Sequence, residues 1–171
     1  MWRGFGMKKK LKNKLPDMAT IILHALDDIP RSALGLGLTG LLPFWGLAIF
    51  IMVLDTPMKS YAIQAEITYG AVILSFLGGI HWGLAAMNER YANWVSLGWG
   101  VTPPLIAWGA LFLPPSFGLI VLVTGFLAAA IIDFRVFTSN IHNTWFGGLR
   151  TVLSIGTITA LLLTLSLGDI F

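Results

Sequence analysis

Four ionisable side chains interrupt runs that are otherwise apolar: Glu66, His81, Asp133 and Arg150. Hydrocarbon penalises such groups by a few kcal/mol, so each needs a partner, water or a ligand. Their types suit three kinds of chemistry. A carboxylate and a guanidinium make an ion pair. An imidazole beside them relays protons. A guanidinium holds an anionic or quinone-like headgroup. His81 lies in the stretch 69–83, YGAVILSFLGGIHWG, together with Gly78, Gly79, Trp82 and Gly83. Gly79 and Gly83 form a GxxxG and Gly78 widens the small surface, so these three are expected to pack a neighbouring helix close to the imidazole. The same stretch reads equally well as plain helix packing, with His81 hydrogen-bonded to a neighbour.

The elements that position these groups follow from composition. Of 171 residues, 56% are hydrophobic and 11% charged, and mean hydropathy is +0.80. An ordinary soluble domain carries about 25% charged residues, and a disordered chain is far less apolar. A membrane helix needs about 20 apolar residues. Five runs meet that length, at about 32–54, 60–87, 91–113, 117–137 and 145–167. Pro43 is expected to kink the first, because proline removes a backbone hydrogen bond. Pro103 and Pro104 lie within the third. The segments 34–46 and 97–109 share LGxGxT and end in WG, as two copies of a parallel repeat would.

Ahead of the spans, residues 1–31 form a basic tail. Arg3, Lys8, Lys9, Lys10, Lys12 and Lys14 precede an apolar face of Met18, Ile21, Ile22, Ala25, Leu26 and Ile29. That spacing predicts an amphipathic helix in the membrane interface, drawn to anionic lipid, or else a basic tail that only sets orientation. No apolar stretch with a small-residue cleavage site follows the lysines, so a cleavable secretory signal is not expected. With the N-terminus cytoplasmic, the cations of the tail, Arg31, Arg90, Arg135 and Arg150 fall on the inner side and only Lys59 falls outside. The positive-inside rule therefore predicts N-in and, with five spans, C-out. The expected location is a bacterial inner membrane, with the mitochondrial inner membrane as the alternative.

In that topology His81, Asp133 and Arg150 share one depth in the inner half, with Trp82 and Trp145 nearby. The simplest satisfied arrangement pairs Asp133 with Arg150 and lets His81 join. It serves either as a salt bridge locking the fourth and fifth spans or as a site for a headgroup or for protons. Glu66 is fifteen residues from His81, roughly 22 Å along one helix. It belongs to the outer half, with Tyr69 a turn away, as a second candidate site or as an interfacial acid.

The sequence has no cysteine, no phosphate-binding loop, no HExxH and no GxSxG. His24, His81 and His142 are scattered, so neither a metal nor another cofactor is expected, and no nucleophile or acid–base pair points to an enzyme. The basic residues flank a membrane, which suits lipid rather than nucleic acid.

Tyr69-Gly70, Leu74 to Gly79, and Trp82-Gly83 resemble the signature of the transmembrane protein 69 family. Leu36-Gly37, Gly40 and Pro43-Phe44 are similar to its opening motif, and Asp133, Trp145-Phe146 and Leu149-Arg150 to its closing motifs. The resemblance covers about residues 32–165. It implies a membrane domain of unknown function, found in bacteria and in eukaryotic proteins thought to be mitochondrial. It brings no established activity or substrate. It also implies arginine at the position of His81 in some members, which favours a cationic role there over an essential proton shuttle.

The expectation is an all-α membrane protein, a five-helix bundle with an N-terminal basic amphipathic segment, and non-enzymatic. Its partners are the bilayer, a lipid- or quinone-like ligand, and a second copy or a membrane complex that it helps assemble. A small proton-coupled or solute transporter using His81 and Asp133, and a tryptophan-rich ligand sensor, are the alternatives.

Overall fold

The computed structural model describes residues 29–55, 57–138 and 144–167. The amphipathic helix expected around residues 18–29 lies almost wholly outside them, as do His24 and His142. The described residues fold into helices, with no strand among them. They are α1 (Arg31–Thr39), α2 (Leu42–Val53), α3 (Met58–Met87), α4 (Trp94–Ala110), α5 (Pro115–Thr138) and α6 (Thr144–Leu167).

α1 and α2 together make the first span, and it breaks at Gly40-Leu41 rather than at Pro43 itself. Pro43 has no N–H to offer the carbonyl four residues back, so it takes a place in the first turn of a new helix, where a missing N–H costs nothing. The Gly40 carbonyl at the break accepts a hydrogen bond from the Tyr69 hydroxyl at 2.9 Å. Tyr69 also packs edge-on against Phe44, at 4.9 Å between ring centroids. The kink is therefore pinned to α3 by one side chain.

α3 is the central element, touching α2, α4 and α5. Its most extensive contact is with α4, and that contact follows from one proline and two glycines. Pro104 cannot donate to the Gly100 carbonyl, so that oxygen is turned out of its own helix. Gly78 comes so close that a Cβ there would sit 2.5 Å from the Gly100 oxygen and 2.7 Å from the Pro104 ring. A side chain at Gly100 would in turn strike Trp82. Gly78 thus lies directly against α4. Gly79 and Gly83 have nothing within 4 Å of a would-be Cβ and pack against no other helix among the described residues.

α4 starts at Trp94 rather than Tyr91 because the Asn93 side chain accepts from the backbone N–H groups of Val95 and Ser96 and caps the helix there. It has 17 residues, roughly 25 Å, somewhat short of about 30 Å of hydrocarbon. The segments Arg31–Val53, Met58–Met87, Pro115–Val136 and Trp145–Leu167 are each long and apolar enough to cross a membrane.

α5 and α6 pack side by side, and α6 closes back onto α2. The core is apolar, built around Phe44, Ile67, Leu74, Leu122, Phe126 and Leu161. The outside is apolar as well: Phe50, Val72, Phe76, Leu105, Trp108 and Ile155 are exposed on the bundle's perimeter. A soluble protein does not present so much contiguous apolar surface, whereas a membrane protein must. The protein is an all-α membrane protein.

Candidate functional site

Asp133 on α5 sits between His81 on α3 and Arg150 on α6, and all three are buried. His81 Nε2 lies 2.9 Å from Asp133 Oδ1. Arg150 Nε donates to Asp133 Oδ2 at 2.9 Å, and a terminal guanidinium nitrogen donates to the same oxygen. Three helices are thereby tied at one level. An imidazole with a hydrogen on Nε2 donates to Asp133 Oδ1, so both carboxylate oxygens are taken by N–H groups. The Arg150 and Asp133 charges cancel. An ion pair out of water keeps its energy only when its remaining groups are hydrogen-bonded, and this one meets that condition at the carboxylate.

Trp82 is not part of this group. One residue on from His81, it is turned about 100° round the helix, stands 51% exposed and covers Gly100. It lines a shallow surface groove with Trp94, Leu97 and Val101 instead. Trp145 packs at right angles on Phe146, 5.6 Å between ring centroids.

Arg150 does a second thing. It lines a cavity of about 170 Å³ between α1, α2, α3, α5 and α6. The walls are apolar, with Phe44, Phe76, Phe126 and Leu153 among them, and the polar residues are Arg150, Ser154 and Thr157. Leu36 and Phe76, 76% and 66% exposed, stand where the cavity reaches the perimeter. His81 and Asp133 do not line it; they hold the arginine that does.

Ser154 is 5% exposed and its hydroxyl has no hydrogen-bond partner. Its neighbours behave otherwise. Thr151 and Thr159 on the same helix each bond the carbonyl four residues back, at 2.9 and 2.7 Å. Ser154 and Thr157 were not among the candidates read from the sequence. The signal was present: Arg150, Ser154 and Thr157 are spaced four and three apart, which places them on one face of a helix.

Glu66 is wholly buried within the bundle and faces Thr164 of α6. Neither carboxylate oxygen, nor the Thr164 hydroxyl, makes a hydrogen bond of ordinary geometry. Tyr69 does not join Glu66; its hydroxyl is committed to Gly40. Ser75, between the two polar regions, bonds its own helix at the Ala71 carbonyl. Among the described residues no cluster of three His, Cys, Asp or Glu side chains has metal-site geometry.

Comparison with known proteins gives a family and, among its relatives, two vertebrate proteins of one name. The family described as "Protein of unknown function (DUF3429)" matches residues 29–166. A Xenopus tropicalis protein named transmembrane protein 69 is 32% identical over 149 residues, covering 85% of this chain and 58% of its own length. A mouse protein of the same name is 28% identical over 167 residues, covering 95% of this chain and 67% of its own length. The chain thus spans about three-fifths to two-thirds of these relatives. No solved structure matches.

Proposed function

The chain belongs to the DUF3429 family of membrane proteins, which carries no assigned activity, and from that premise we propose that it is a non-enzymatic binder of a lipid-like molecule. The observation that carries this reading is the cavity beside Arg150. Apolar walls with a few convergent polar groups are the usual make-up of a small-molecule site. The opening at Leu36 and Phe76 faces the side of the bundle, so a ligand enters from the lipid phase. Its polar end meets Arg150, and its apolar end lies against Phe44, Phe76 and Phe126. The His81–Asp133 pair acts in this reading as the support that fixes the guanidinium. A packed support of this kind favours binding over transport, because a carboxylate that cycles protons has to be reached by water.

The orientation that goes with this function puts Arg31, Arg90, Arg135 and Arg150 toward the cytoplasm of an inner membrane. A phosphatase reporter, which works only outside the cytoplasm, is then expected to be active when fused after Leu54, at the end of the first span. An inactive fusion there, with a cytoplasm-only reporter active at the same point, reverses the orientation.

Native mass spectrometry of protein extracted in mild detergent tests the binding. The wild type is expected to retain an amphiphile of fixed mass. Ile73→Trp, which fills the cavity from α3, is expected to lose it while keeping the wild-type helix content. A bare wild-type protein, or the same adduct on the filled variant, ends the proposal.

A further inference from the structure

A second arginine, Arg135, stands at the end of an apolar groove on the seam of α5 and α6. We propose that this groove seats an acyl chain of an anionic phospholipid and that Arg135 holds the lipid's phosphate. The inference does not rest on the cavity beside Arg150.

The shape of the groove carries the first part. Leu127, Ile131, Ile155 and Ile158 line a trough of about 310 Å³, with Arg135 and Thr151 toward one end. Leu127, Ile131 and Ile155 are exposed on the perimeter, so the trough opens sideways, where acyl chains lie. From Leu127 to Arg135 the rise along α5 is roughly 12 Å. The hydrocarbon of one leaflet is about 15 Å deep, half of about 30 Å. Leu127 and Ile158 are near the midpoints of α5 and α6, and Arg135 is within a turn of the α5 end. The trough thus runs from the middle of the two helices to one end of them. That is the path of a chain belonging to a single leaflet, with its head at Arg135.

Charge carries the second part. Arg135 is exposed and lies inside Pro115–Val136, a segment apolar enough to cross a membrane. Asp133, two residues earlier, does not serve it. Asp133 is turned about 200° away round the helix and is committed to His81 and Arg150. Among the described residues no carboxylate pairs with Arg135. A cation at this depth on the lipid-facing side needs an anion or water at its head. Thr151 donates its hydroxyl to the Gly147 carbonyl at 2.9 Å, so the guanidinium is the group at this end with donors to spare. Its planar fork suits two phosphate oxygens at once. A choline head brings its own cation beside the phosphate, whereas an anionic head leaves the phosphate charge for the protein to match. Arg150 finds its counter-charge within the bundle; the counter-charge of Arg135 comes from the bilayer.

Native mass spectrometry of the purified full chain in detergent tests this with two probes, dioleoyl phosphatidylglycerol and dioleoyl phosphatidylcholine, titrated separately. The wild type is expected to prefer phosphatidylglycerol. Arg135→Gln is expected to lower that preference about fivefold, the value of one basic side chain beside anionic lipid. Ala130→Trp, which fills the groove from α5, is expected to weaken both lipids while keeping the wild-type helix content. Two further variants are expected to keep the preference. Arg90→Gln removes an exposed cation at the same end of α3 as His81 but outside the groove, and Ile73→Trp fills the cavity beside Arg150. A wild type that binds the two lipids alike overturns the inference. A preference unchanged in Arg135→Gln belongs to the basic tail and overturns it as well. An equal fall in Arg90→Gln leaves only diffuse surface charge. Phosphatidylglycerol lost from Ile73→Trp but kept by Arg135→Gln assigns the lipid to the cavity and ends the proposal for the groove.

Discussion

Two polar regions are buried along the same pair of helices, and they are built in opposite ways. Toward one end of α3 and α6, His81, Asp133 and Arg150 form a group in which both carboxylate oxygens are hydrogen-bonded and the opposite charges meet. Toward the other end, Glu66 faces Thr164, and neither side chain makes a hydrogen bond of ordinary geometry. All five residues are buried, so burial alone does not distinguish the two regions. The difference is the third helix. α5 supplies Asp133 between His81 and Arg150, whereas Glu66 has the Thr164 hydroxyl beside it and no oppositely charged partner among the described residues. A charge held by partners becomes structurally expensive to disturb. A polar group without partners is a standing cost that the rest of the fold carries.

The sharpest way to break this comparison is to remove the shared acceptor. Asp133→Asn leaves the Arg150 charge buried and unbalanced, and a loss of about 3–5 kcal/mol is expected, of the size seen for broken buried pairs. Denaturation of the purified protein in mixed micelles measures it. A variant as stable as the wild type would mean that water or lipid reaches the guanidinium freely.

A smaller effect comes from taking away both charges. Asp133→Leu combined with Arg150→Met removes the pair instead of splitting it, and most of the stability lost in Asp133→Asn is expected to return. The same double variant loses the headgroup donor, so it is expected to be stable and empty of ligand. A double variant less stable than Asp133→Asn would show that the pair contributes more than its own charge balance.

His81→Phe comes next. It deletes one hydrogen bond to a carboxylate that keeps its arginine, with an expected cost of about 1–2 kcal/mol. Loss as large as that of Asp133→Asn would assign His81 a charge of its own in the cluster.

The smallest effect belongs to the open region. Glu66→Met replaces an unpartnered carboxyl by an apolar side chain of similar length, and stability is expected to stay within about 1 kcal/mol of the wild type or to rise. Melting curves of Glu66→Met and wild type in the same detergent decide it. A clear loss would reveal a partner for Glu66 and erase the contrast between the two regions.

Much of this protein was legible in the chain. Runs of about 20 apolar residues announce membrane helices because hydrocarbon thickness sets their length. The shared depth of His81, Asp133 and Arg150 followed from counting residues along alternating spans, and the three side chains do meet. Glu66 was legible as separate from them, through the rise of 1.5 Å per residue, but not as fully buried.

What the chain did not reveal is which way each helix faces. In water, an apolar stripe marks the inner side of a helix. In lipid, the inner and outer faces are both apolar, so Phe126 in the core and Leu127 on the perimeter look alike in sequence. For that reason the GxxxG of Gly79 and Gly83 gave no sign that it faces away from the other helices, while Gly78, one residue earlier, meets the oxygen that Pro104 leaves free. The same 100° step carries Trp82 out of the cluster that holds His81. The cavity belongs to this class of facts too. Its walls come from helices distant in the chain, and only their packing leaves the space in front of Arg150. The sequence by itself determined the solvent and the apolar runs long enough to cross it, since these depend on local composition and length. The tertiary structure alone decided rotation, partners and empty space, because those depend on side-chain shapes meeting across helices.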